Sequence, residues 1–181
     1  MEGCVMQRRS EIHENATVYH YQLIKKIQVQ NESVISYGII VSGLGIFQII
    51  MYSYQGLFYW LASALAIYWL HWVIIKLTMI RVDEPEDRRW GWRYKTPWIG
   101  YLPIVMVEHQ LFRKLHRHLL WIGLCAIALI YPWMGESAMI SLISWHLWAL
   151  APRLIVLNKL RRSRKDGLIF LEDTSVNFYH R

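Results

Sequence analysis

Apolar residues in this chain concentrate in four stretches, 34–54, 56–77, 119–134 and 139–157, separated by polar, charged or proline-containing segments. A helix needs about 20 residues, with a range of roughly 17–25, to cross the hydrocarbon of a bilayer. The first two stretches meet that length directly. The third is short and must extend through Arg117 and His118, whose side chains can reach back to the interface. The fourth is interrupted by Pro152 and Arg153. The pattern predicts an all-α polytopic membrane protein with four transmembrane helices.

Charge reinforces this reading. All 20 Lys and Arg residues fall in the N-terminal tail, the segment between the second and third stretches, and the C-terminal tail, or at span ends on that same side, as Lys76 and Arg153 do. The connections Ser53-Tyr54-Gln55-Gly56 and Gly135-Glu136-Ser137 contain none. Cytoplasmic loops collect Lys and Arg, so both termini are expected inside and both tight turns outside. A soluble bundle of buried helices would have no reason for this asymmetry. Residues 1–33 lack the apolar core of a signal peptide, which leaves the first span as its own insertion signal. With the compact size, this points to a bacterial cytoplasmic membrane. Cys4 and Cys125 are separated by topology, so no disulfide is expected.

The order of segments suggests a duplicated unit of amphipathic helix plus hairpin. Gln22-Leu23-Ile24-Lys25-Lys26-Ile27 matches Gln110-Leu111-Phe112-Arg113-Lys114-Leu115 in chemical type, and each precedes a pair of spans. Trp69-Leu70-His71-Trp72 matches Trp145-His146-Leu147-Trp148. Tyr19, Leu23 and Ile27, like Val107, Leu111 and Leu115, recur at helical spacing with basic flanks, the pattern of an interfacial helix. The second copy could equally extend span three, since no breaker separates them. The expected organisation is a tail with an amphipathic helix (1–33), a hairpin (34–77), a basic and aromatic cytoplasmic segment with an interfacial helix (78–118), a second hairpin (119–157) and a basic tail (158–181). Within the tail, Leu168-Ile169-Phe170-Leu171 is the one apolar run, suited to docking on the cytoplasmic face or on a partner.

Candidate chemistry is sparse. Glu108, His109 and His116 are residue types that bind zinc or iron. On a helix His109 and His116 share a face, whereas His118 is turned about 200° away from His116. The spacing is not HExxH, and a polar face of an interfacial helix explains it as well, so neither a metal nor a cofactor is expected. His71 and His146 sit within spans, where ionisable residues face the bundle interior and are functional candidates by default. A symmetric bundle would let them meet. Hydrogen bonding to a neighbouring helix is the plainer role. Arg153 lies about one turn from the inner boundary and is expected to snorkel there. Lys159, Arg161, Arg162, Arg164 and Lys165 follow the last span directly and suit anionic lipid headgroups better than nucleic acid.

No nucleotide loop, nucleophile elbow or kinase signature is present. The expected function is non-catalytic: an accessory, regulatory or assembly protein that contacts lipid, a protein partner or its own copies through the cytoplasmic face. A small transporter or oligomeric channel, and a membrane enzyme using His71, His146 or the Glu108 cluster, are the alternatives.

Overall fold

A computed structural model describes residues 22–82, 90–161 and 167–180. The first two apolar stretches form α1 (Asn31–Val82), in which Ser53 leaves the helical region with φ 57° and ψ −144°. The chain reverses at that residue. A Cβ built on Gly45 would come within 3.1 Å of the Trp60 indole, and one on Gly56 would strike the Gln48 carbonyl. A straight helix would hold those residues about 22 Å and 12 Å apart. The two arms of α1 are therefore antiparallel neighbours.

α2 (His109–Ile130) follows, then a single 3-10 turn at Tyr131–Trp133, then α3 (Glu136–Lys159). Pro132 starts the turn and Gly135 precedes α3 in an extended conformation, so the connection reverses tightly. Among the described residues, three helices are long and apolar enough to cross a membrane: Asn31–Arg81, His109–Trp133 and Glu136–Lys159. The outward faces of α1 carry exposed Ile39, Ile50, Phe58, Leu65, Leu77 and Ile80, and the other two helices expose Trp121, Leu129, Leu147 and Ile155.

Six short strands among the described residues correct the all-α expectation. β1 (Gln22–Gln28), β4 (Val107–Glu108), β5 (Gly167–Leu171) and β6 (Ser175–His180) form an antiparallel sheet in the order β1-β6-β5-β4. β2 (Trp90–Arg93) and β3 (Gly100–Pro103) form a separate hairpin. All six adjoin the helix ends opposite Ser53 and the Tyr131–Trp133 turn. The sheet packs on the bundle there through Ile27, Phe112, Val156, Leu160, Ile169 and Phe178. Lys25 Nζ donates to the Lys159 carbonyl at 3.2 Å, which ties β1 to the C-terminus of α3.

The amphipathic helix expected at Leu23 and Ile27 is instead β1. A spacing of four residues satisfies a period of 2 as well as one of 3.6, so these positions could not separate the two. Seven residues are too few to hold a helix alone, and pairing with β6 decides the outcome. The matched hexapeptides Gln22–Ile27 and Gln110–Leu115 thus adopt different structures, strand and helix. The Trp pairs also differ: Trp69 is exposed, whereas the Trp145 and Trp148 indoles donate to backbone carbonyls of α1. α2 runs unbroken from His109, so the basic segment beginning at Gln110 is continuous with the third apolar stretch. Tyr19, Cys4 and the charge run 83–89 lie outside the described residues.

Candidate functional site

The interior of the helical bundle is stitched by polar contacts between helices. Gln48 and Ser137 form a reciprocal pair. The Gln48 amide donates to the Ser137 carbonyl at 3.2 Å, and the Ser137 hydroxyl donates to Gln48 Oε1 at 3.0 Å. Trp145 donates to the Trp60 carbonyl at 2.9 Å. Trp148 donates to the Tyr37 carbonyl at 2.9 Å, and their rings stack with centroids 4.0 Å apart.

Pro152 explains a further contact. It has no N–H to give the carbonyl one turn earlier, which belongs to Trp148. The Tyr37 hydroxyl donates to that carbonyl at 3.0 Å. The helix break foreseen at Pro152 is thereby repaired from the neighbouring helix, and α3 continues through it.

His71 and His146 meet directly. Their ring nitrogens Nε2 and Nδ1 are 2.9 Å apart, and both residues are buried. His146 Nε2 lies 3.3 Å from the Leu120 carbonyl, which can only accept. A neutral His146 therefore carries its proton on Nε2 and accepts from His71 Nε2–H through Nδ1. His71 Nδ1 is left as a bare acceptor with no partner among the described residues. Gly123 makes room for this arrangement, because a Cβ there would overlap the His146 ring.

Arg153 is 1% exposed and faces inward, which corrects the snorkelling role. Its Nη2 donates to the Ile99 carbonyl at 2.8 Å, ahead of β3. Gly100, at φ +118°, presents a backbone with no Cβ to the guanidinium; a Cβ would sit 2.8 Å from Nη2. The strand hairpin folds over the end of α3 and holds Arg153 in place, so the side chain cannot extend to the surface.

The remaining sequence candidates separate. Glu108 is exposed in β4, His109 packs edge-on against Phe178, and His116 Nδ1 donates to the Phe112 carbonyl at 2.7 Å. His109 and His116 share the buried face of α2, but Glu108 does not join them. Among the described residues no three His, Cys, Asp or Glu side chains come together. Lys159, the last residue of α3, and Arg161 just past it are exposed, while Arg162, Arg164 and Lys165 lie outside the described residues.

Sequence reasoning missed Gln48, Ser137 and Tyr37. A glutamine inside an apolar stretch was the available signal for Gln48. It also missed the turn of the β5–β6 hairpin. There the Ser175 hydroxyl donates to Glu172 Oε2 at 2.6 Å, and Lys95 Nζ lies 2.6 Å from Asp173 Oδ2. These contacts hold both carboxyls below their ordinary pKa values, through the Ser175 bond at Glu172 and the Lys95 ammonium at Asp173.

Searches against protein-family models, curated proteins and solved structures find no match to this chain.

Proposed function

We infer that this chain is a four-span integral membrane protein that acts as a non-catalytic accessory or assembly factor. The two arms of α1, with α2 and α3, are the spans, and the strands form a cytoplasmic platform. The observation that carries this reading is the pairing inside the bundle. Three polar side chains of α1 are matched to α3: Gln48 to Ser137, Tyr37 to Trp148 and His71 to His146. Such contacts fix one helix arrangement and leave the sheet as the surface available to partners. Both tight turns lack Lys and Arg, which supports a cytoplasmic sheet and termini. Exposed Lys159 and Arg161 suit anionic headgroups at the same face.

The test is photo-crosslinking from exposed positions of β1, such as Lys26, in native membranes. The account expects a stoichiometric protein partner or a second copy of the chain. A protein that crosslinks to nothing, and whose His71→Gln and His146→Gln variants lose a transport or turnover phenotype at normal abundance, contradicts it.

That contrary outcome defines the second reading, a small transporter. The bare His71 Nδ1 and the buried Arg153 guanidinium favour it, because Arg153 Nη1 also has no hydrogen-bond partner among the described residues.

A further inference from the structure

A cleft of about 450 Å³ opens between the sheet-proximal end of α1 and the first turns of α2. Its charged residues are Arg81, Lys114 and His118, and its apolar wall is made by Ile74, Leu77 and Ile122. The two sets are segregated along the helices. Lys114 and His118 are one turn apart and stack on one face of α2. Arg81 approaches from the last turn of α1. Ile74 lies about 10 Å deeper along its helix than Arg81, and Ile122 about 12 Å deeper than Lys114. The Thr78 hydroxyl donates to the Ile74 carbonyl at 2.7 Å, so it offers the cleft only acceptor capacity.

We propose that this cleft binds one anionic phospholipid, its phosphate held by Arg81 and Lys114 and an acyl chain laid along Ile74, Leu77 and Ile122. The proposal rests on the membrane placement inferred above and adds a defined lipid site to it. Basic pockets between helices on the cytoplasmic side suit anionic headgroups. The match is to an amphiphile in particular. Free phosphate would use the cationic mouth but leave the apolar wall bare, and a zwitterionic lipid would bring a cation of its own to Arg81 and Lys114. His118 also lines the cleft, where a ring N–H adds a further donor to the phosphate. The face of α2 that carries Lys114 and His118 is turned away from the buried face of His109 and His116, so the site is separate from the interior network.

The test is native mass spectrometry of the full-length protein released from nanodiscs containing phosphatidylglycerol and phosphatidylcholine. The proposal expects a retained phosphatidylglycerol adduct. It expects the adduct to fall by about tenfold or more in the Arg81→Gln/Lys114→Gln double variant, and to return with Arg81→Lys/Lys114→Arg. A Lys159→Gln/Arg161→Gln control should retain it. Equal retention of both lipids, an adduct unchanged in the double variant, or displacement by millimolar inorganic phosphate would each overturn it. Membrane extraction with carbonate separates the two readings. A chain released by carbonate removes the membrane placement itself, whereas an embedded chain without lipid preference removes only the cleft assignment. If the double variant unfolds, the Leu77→Trp variant is compared with the wild type: the indole fills the apolar wall and should expel the lipid, and an unchanged adduct would overturn the proposal.

Discussion

The hydroxyl of Tyr37 donates to the backbone carbonyl of Trp148 at 3.0 Å, the carbonyl that Pro152 leaves without a helical partner. A residue at the start of one helix thus completes the hydrogen bonding of another. Removing the hydroxyl alone strands a buried carbonyl. Tyr37→Phe keeps the ring stacked on Trp148 and should cost about 1–2 kcal/mol of stability. In a Pro152→Ala background the new N–H serves the same carbonyl, so the same change should cost close to zero. Thermal or denaturant unfolding of the four proteins of this cycle in detergent measures the coupling. Equal costs in both backgrounds would show that the hydroxyl does not serve that carbonyl.

The His71–His146 bond has a different dependence. Gln at position 71 retains a donor for His146 Nδ1, so His71→Gln should leave the fold intact. His71→Leu removes the donor and should destabilise by about 1–2 kcal/mol. The double change His71→Leu/His146→Leu should cost less than the sum of the two singles, because neither imidazole is then stranded. Strict additivity in unfolding experiments would place the two rings out of contact.

Gly123 gives the sharpest steric test of the same region. A Cβ at this position overlaps the His146 ring, so Gly123→Ala should destabilise by about 1–3 kcal/mol despite its better helix propensity. His146→Ala should rescue much of that loss. A stabilised Gly123→Ala protein would mean that α2 and α3 are further apart than described.

Much of the helical part was legible in the chain because the signal is long. Stretches of 16 or more apolar residues, broken at Ser53-Tyr54-Gln55-Gly56 and Pro132 to Ser137, mark where helices run and reverse. Burial of His71 and His146 was legible from their place inside apolar stretches, but their meeting was readable only as what a symmetric bundle would allow. The sheet was not legible, because its strands are short and drawn from remote segments. β1 reads as a helix by its Leu23–Ile27 spacing, and β4 is two residues that exist only through pairing with β5. Val176 and Phe178 alternate as a strand should, and Glu172-Asp173-Thr174 sits between two apolar runs as a turn should, yet neither signal exceeds a few residues. Arg153 was misplaced for a related reason. Its depth in the span was readable, but the strand hairpin that covers it was not.

The Lys95–Asp173 contact joins the β5–β6 turn to the segment between β2 and β3, and it should respond to acid. Its carboxyl is held below the ordinary value of 3.8, so its contribution is fully present above that value and is lost as pH falls through the lowered one. Both side chains are largely exposed, so the effect should be small and weakened by salt. Hydrogen exchange at Glu172 to Ser175, corrected for the intrinsic pH dependence of amide exchange, should rise between about pH 4 and pH 2 more in the wild type than in Asp173→Asn. An equal rise in both would assign the acid response elsewhere.

The central claim is a four-span bundle with its strands and both termini on the cytoplasmic side. Reporter fusions at Gln55, Glu136 and Arg181 address it most directly. The account predicts external activity at Gln55 and Glu136 and cytoplasmic activity at Arg181. External activity at Arg181, or cytoplasmic activity at either turn, would contradict the four-span arrangement.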